Sequence, residues 1–223
     1  MRITELSLDT QNLQEQLDFY TNILGLPLKE KTPGTFTVQA GTTRLTFRET
    51  TKATLYHFAF TIPSNKLASG KAWLTDRVSL LTLNGQDEFG GESWNSGSLY
   101  FRDPANHILE FIVHYDLHNE QPGSFGPADL LYISEIGMAF DDVAEAVKAE
   151  RAAFQIEPYR NSIGEVFAAV GDISGLFITV KIGRNWFPTD DSPAPVSPVD
   201  VTIEGVEGRS QHLAPFPYHV TVK

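Results

Sequence analysis

The order strand, helix, strands recurs along this 223-residue chain, and that repetition limits the folds open to it more than any other feature. Ile3 to Asp9 alternates Ile3, Glu5, Ser7 and Asp9 against Thr4, Leu6 and Leu8, the two-residue period of a half-buried strand. Asn12 with Glu15 three residues on has the form of a capping box. Leu13, Leu17, Tyr20 and Leu24 then share one helical face, and Gly25 ends it. Short strands are predicted around residues 28–30, 35–39 and 44–47. The pattern restarts at Tyr56, where Tyr56, Phe58, Phe60 and Ile62 alternate with His57, Ala59 and Thr61. Ser64 is the expected N-cap of a helix through Leu67, Leu74 and Val78, and strands at residues 78–83, 99–102 and 108–113 complete the unit. A third start runs through residues 132–140. Asp142 and Glu145 then open a helix with Val143, Val147 and Phe154 on one face, and strands follow at residues 165–170 and 175–180. A fourth unit is abbreviated to strands at residues 199–204 and 218–222, separated by Gly205 to Pro217. The unit is therefore βαβββ, seen three times and then cut short. Two unrelated α+β domains would contain similar elements. The matching openings, Ile3 to Leu8 and Ile133 to Met138, favour duplication.

The most informative single stretch lies in the second unit. Leu99, Tyr100 and Phe101 read as a strand, Asp103, Pro104, Ala105 and Asn106 as a tight turn, and Ile108 to Val113 as the returning strand. Glu110 interrupts that last, apolar run. An ionised carboxylate there is costly unless something neutralises it: Arg102, Arg77 or His107 by pairing, or a metal ion by coordination. The long polar segment Asn84 to Gly97, rich in glycine, precedes this hairpin and is expected to be a mobile cover on a cleft.

Tyr100, Asp103, Pro104, Asn106 and Glu110, at these spacings, resemble the final hairpin of the vicinal oxygen chelate superfamily. That group includes glyoxalase I, extradiol ring-cleaving dioxygenases, fosfomycin-resistance enzymes, methylmalonyl-CoA epimerases and bleomycin-binding proteins. Leu17 to Leu26 resembles the family's first helix and its exit, and Tyr56 to Phe60 a strand carrying a ligand histidine. The resemblance covers residues 1 to about 115 and returns more faintly afterwards. It implies an α+β fold of paired βαβββ modules forming curved mixed sheets, duplicated into two halves with the last module truncated. On this reading residues 1–117 form a domain holding the metal cleft, residues 118–127 are a linker, and residues 128–223 form a partly degenerate second domain.

The resemblance also implies a ligand set. The family places donors on the first strand of the first unit and on the first and last strands of the second, positions that here hold Glu5, His57 and Glu110. Glu110 is also the candidate catalytic residue. Such a set implies one divalent metal ion, Mn²⁺, Zn²⁺, Fe²⁺, Ni²⁺ or Mg²⁺, with positions left open for substrate or water. Bland readings stay open for each: Glu5 as a solvated strand residue, His57 as a core histidine, Glu110 as half of a salt bridge. The second half has Glu135 and His219 in corresponding strands but Thr179 at the expected place of Glu110, so a second metal is not expected. Trp94, Tyr100, Arg102 and Tyr115 are the expected substrate-pocket residues, with Tyr159, Trp186 and Phe187 as further aromatic candidates. The implied function is a metal-dependent enzyme of the glyoxalase/dioxygenase type acting on a small oxygen-rich substrate, as a lyase, isomerase, transferase or dioxygenase. The alternative is a metal-free small-molecule binding protein of the bleomycin-resistance type. The extradiol signature has a histidine shortly before Leu99, where this chain reads Gly91, Glu92 and Ser93, so catechol cleavage is disfavoured.

Bulk properties narrow the partners. A formal net charge of −11 argues against nucleic acid and anionic membranes, which select basic surfaces. No apolar stretch is long enough for a membrane helix, the opening residues lack a signal-peptide core, and cytoplasmic location is the expectation. Self-association into a homo-oligomer stays open. The absence of cysteine removes disulfides, thiolate ligands and a cysteine nucleophile.

Overall fold

Each of the four units folds with its first strand parallel to its last, and this shared rule generates the architecture. The computed structural model describes residues 1–205 and 210–223. The first unit contains β1 (Arg2–Thr10), α1 (Leu13–Asp18), β2 (Leu28–Lys31), β3 (Thr35–Ala40) and β4 (Thr43–Glu49). The second contains β5 (His57–Thr61), α2 (Leu67–Thr75), β6 (Phe89–Gly91), β7 (Ser96–Arg102) and β8 (Ile108–His114). The third contains β9 (Tyr132–Phe140), α3 (Val143–Phe154), β10 (Pro158–Ile163), β11 (Phe167–Asp172) and β12 (Gly175–Lys181). The fourth keeps β13 (Val199–Glu204), β14 (Ser210–His212) and β15 (Tyr218–Val222). The parallel pairs are β1 with β4, β5 with β8, β9 with β12 and β13 with β15.

The units then join crosswise. β1 pairs antiparallel with β13, and β5 with β9, giving two mixed sheets. One has the order β14-β15-β13-β1-β4-β3-β2, the other β10-β11-β12-β9-β5-β8-β7-β6. The α+β fold of duplicated βαβββ modules is therefore present, but the first unit does not pair with the second as expected for residues 1–117. Glu5 and His57 lie in different sheets. The reason is that periodicity specifies which face of a strand is buried, and all four leading strands share that period, so it does not choose their partners.

The two sheets share one apolar core. Leu6 and Leu8, Phe58 and Phe60, Ile136 and Met138, and Val201 and Ile203, one pair from each leading strand, meet in it. β5, β8 and β9 are buried along their whole length, so both faces of that sheet are covered at its centre. β1 alternates buried and partly exposed residues, so the other sheet keeps one solvated face. The predicted turn after β7 also ties units together. Asn106 adopts a left-handed conformation, φ 63°. The buried Asp103 carboxylate accepts hydrogen bonds from Gln16 Nε2 (2.7 Å), Tyr20 Oη (3.0 Å) and the Ala105 and His107 amides (3.0 Å each).

Several local expectations shift. The second unit's middle strand is Phe89–Gly91, inside the segment expected to be a cover, while residues 78–83 contribute only isolated bridges, Leu80 to Phe101 and Leu83 to Gln86. α2 begins at Leu67 rather than beside Ser64, and Asn12 gives its amide to Glu15 instead of capping the backbone. Asp142 does cap α3, accepting from the Glu145 amide at 3.0 Å. β10 and β14 add strands that periodicity did not reveal, and residues 206–209 of the expected connection lie outside the described residues. Among the described residues no helix is long and apolar enough to cross a membrane.

Truncation after residue 117 removes β13 from β1 and β9 from β5, leaving two buried strand edges open. The expected outcome for residues 1–117 is no cooperative thermal transition by circular dichroism. A monomeric fragment that melts cooperatively would contradict the crosswise pairing.

Candidate metal centre

The join between β5 and β9 is what assembles a cluster of donors. Ala59 of β5 stands in register with Glu110 of β8 on one side and Glu135 of β9 on the other. His57 lies two residues earlier and so projects from the same face. A register shift between Ala59 and Phe60 in the β5–β9 pair sits beside this point, the kind of irregularity that re-aims side chains next to sites. The small Ala59 side chain leaves the space between the two carboxylates to the longer side chains around it.

The donors converge. His57 Nε2 is 3.6 Å from Glu110 Oε2 and 3.8 Å from Glu135 Oε2, and donor atoms of all three residues lie within 4.8 Å of one another. Donors held by one ion at about 2.0–2.2 Å stand roughly 3–3.6 Å apart, so small side-chain rotations bring this group to coordinating distance. His57 Nδ1 is 3.1 Å from the Ile108 carbonyl. With the proton on Nδ1 donated to that carbonyl, Nε2 presents a lone pair to the carboxylates, the orientation a metal-binding imidazole needs. Glu135 Oε1 is buried without a hydrogen-bond partner. All three residues are buried, and among the described residues neither carboxylate has a lysine or arginine partner.

The electrostatics follow from that dryness. Burial, then the neighbouring Glu135, pushes the Glu110 carboxyl up to about 8, with His57 and the hydroxyls of Ser98 and Tyr100 pulling weakly the other way. Burial alone pushes Glu135 up to about 8. His57 is pushed down, because burial outweighs the attraction of Glu110. At about 1.4 kcal/mol per pKa unit, ionising either carboxyl without a cation costs several kcal/mol. A divalent ion would remove that cost, and the donor set fits one.

A comparison at the level of families matches residues 2–111 to the Glyoxalase/Bleomycin resistance protein/Dioxygenase superfamily. Residues 2–111 belong to that superfamily. Among solved structures, a putative dioxygenase from Bacillus subtilis subsp. subtilis str. 168 aligns over 92% of this chain and 70% of its own, with 17% identity and a TM-score of 0.60. The V278E glyoxalase I mutant from Zea mays aligns over 90% and 74%, with 12% identity and a TM-score of 0.56. At such identities the likeness is one of fold. No curated protein matches the sequence.

Within this superfamily fold, the ligand residues expected from sequence divide. His57 and Glu110 come together. Glu5 does not join them: it sits on the solvated face of the other sheet, accepting from Thr202 Oγ1 (3.1 Å) and Lys223 Nζ (3.2 Å), with its carboxyl held low chiefly by Lys223. Glu135 takes the third place, and its position in the leading strand of the third unit was the available signal. Glu110 is not neutralised by the cations proposed for it. Arg102 binds Asp191 at 2.6 Å, Arg77 lies over Trp73, and His107 packs between Tyr56 and Phe47. The duplicate of Glu110 is Ile178, not Thr179. His57 pairs with Ile108, two residues before Glu110, and Glu135 pairs with Leu176, two before Ile178. Thr179 faces the opposite side and donates to Glu150 of α3 at 2.8 Å. A fourth corner is thus apolar, and the protein offers three donors.

The donors open into a cavity of about 350 Å³. Trp94 and Tyr100 line it, together with Trp186 and Phe187; Arg102 and Tyr115 are not among its lining. Tyr159 stands behind Trp94, edge-on to its ring at 5.2 Å. Trp186 reaches β9 because position 137 is glycine: a Cβ there would lie 2.4 Å from the indole.

Both carboxyls bind protons more tightly folded than unfolded, while His57, His107 and His114, pushed down by burial, act the other way below about pH 6.5. Between about pH 6.5 and 8, where the histidines are neutral in both states, the metal-free protein loses stability as pH rises. Glu150, also pushed up to about 8, adds to that slope. Chelator-treated protein should show a melting temperature that falls from about pH 6.5 to 8, with a shallower fall in Glu135→Gln. A flat profile, or the same slope in the variant, would contradict the buried-carboxyl account.

Proposed function

We propose that this protein is a metal-dependent enzyme acting on a small, oxygen-rich substrate, with one divalent ion held by His57, Glu110 and Glu135. The observation that carries this reading is a buried group of converging donors that contains two carboxyls and no permanent cation. Bound there, the ion would supply Lewis-acid polarisation of a substrate carbonyl or hydroxyl pair. One histidine with two carboxylates is a harder, more anionic set than the two-histidine, one-carboxylate set of iron oxygenases, which favours Mn²⁺, Mg²⁺ or Zn²⁺ and non-redox chemistry. Lyase or isomerase chemistry, in which a proton leaves and returns, suits these residues best.

The protein's own groups have distinct tasks. His57, fixed through Nδ1 by the Ile108 carbonyl, holds its lone pair in place. Glu110 is the proposed catalytic residue. Tyr100 lies directly across from it in the β7–β8 ladder, and burial and the nearby carboxylates keep the Tyr100 phenol protonated as a donor toward substrate oxygen. A carboxyl that titrates near neutrality can take and return a proton, and a dry cavity strengthens each of these interactions. The aromatic walls would equally suit a metal-free binding protein, the alternative reading; in that case the carboxyls would stay protonated and hold the ligand by hydrogen bonds.

Replacing Glu110 by glutamine keeps size and removes charge. Metal affinity should fall at least tenfold while the metal-free variant melts no lower than the wild type, because two carboxyls no longer compete for one dry site. Glu5→Gln should leave metal content unchanged. Elemental analysis with thermal melts decides it: intact metal content and a large stability loss in Glu110→Gln would make Glu110 structural, and an absence of metal in the wild type would favour the binding protein.

A further inference from the structure

One cation in the cavity has no counterpart. Arg184 follows β12, its backbone fixed by hydrogen bonds from its amide to the Lys181 carbonyl (3.0 Å) and from the Ala194 amide to its own carbonyl (2.9 Å). Its half-buried guanidinium lies over the Phe167 ring at 5.2 Å and lines the cavity that His57, Glu110 and Glu135 share. Of its five N–H donors, one set is engaged, Nη1 with the Asn185 carbonyl at 3.2 Å. Among the described residues no carboxylate pairs with it. Glu88, the remaining lining carboxylate, is 3.8 Å from Lys71. Among the described residues, each arginine that pairs with an acidic group sits outside the cavity: Arg102 with Asp191, Arg48 with Asp9, Arg160 with Asp116, Arg151 with Glu157, Arg44 with Glu30.

Charge bookkeeping makes the vacancy informative. Glu110 and Glu135 converge on His57, where they form the donor group a divalent ion would neutralise, and neither pairs with Arg184. The guanidinium is thus left without a carboxylate in a space walled by Phe89, Trp94, Tyr100, Phe167, Trp186 and Phe187. A partly desolvated, unpaired cation is unfavourable until an anion meets it, and its planar fork matches a carboxylate. We propose that Arg184 is the anion-recognition residue of this cavity and that the substrate is a small aromatic carboxylate, its ring between the aromatic walls. The assignment deepens the metalloenzyme reading and rests on it for the reaction, though not for the binding.

Benzoate and benzamide, alike in shape and different in charge, test it. Binding is followed by quenching of Trp94 and Trp186, in the protein as purified and after chelation. Benzoate should bind at least tenfold tighter than benzamide in both preparations. Arg184→Gln should reduce that preference to about threefold or less without lowering metal content, and Arg184→Lys should retain part of it. Equal affinity for the two probes, no saturable binding of either, or a preference that survives Arg184→Gln would overturn the assignment. A preference that vanishes on chelation yet ignores Arg184→Gln would place the carboxylate on the ion and overturn it too. Protein that holds no metal but keeps the Arg184-dependent preference would overturn the metalloenzyme reading alone.

Discussion

Two carboxyls flanking Ala59 in one dry place are the constraint on which the rest of this structure depends. Glu110 and Glu135 reach that place only because β5 accepts β8 on one edge and β9 on the other. Aromatic packing shields the donors from water on several sides: Trp186 packed on Gly137, Trp94 stacked over His114, Phe187 against Tyr100. Exclusion of water is costly for two acids with no cation beside them. It is also what strengthens an ion's hold and its polarising effect, since charges act over a lower dielectric.

The duplicated architecture shows the same framework under opposite conditions. In the other sheet, Glu5 occupies the leading strand of its unit as His57 and Glu135 do in theirs, yet its face is open and Thr202 and Lys223 satisfy its carboxylate. That residue is a solvated, paired acid with no reason to seek a metal. The converging donors are therefore confined to one of two sheets built on one plan, and what separates them is coverage by the third unit and the residues that follow β12 rather than any difference in strand order.

Much of this was legible in the sequence. Alternation around Glu5, His57 and Glu135 marked the leading strands, the Asp103-Pro104 turn marked the hairpin, and a lone acid in the apolar run Ile108 to Val113 marked Glu110. Pairing between units was not legible, because strands of equal period compete for the same partners and the choice is made by tertiary packing. That single ambiguity grouped Glu5 with His57 and Glu110, beside which the fold places Glu135. The Thr179 assignment failed for a different reason: a one-residue offset in a period-two element moves a side chain to the other face. Arg184 carries no periodic signal at all, since it lies in an irregular segment whose position depends on the folded cavity.

A crystal soaked in manganese, with anomalous diffraction recorded, addresses the central claim most directly. The expected result is one peak between His57 Nε2 and the carboxylates of Glu110 and Glu135, and none at Glu5. No peak at that point, or a peak on the face that carries Glu5, would contradict the account.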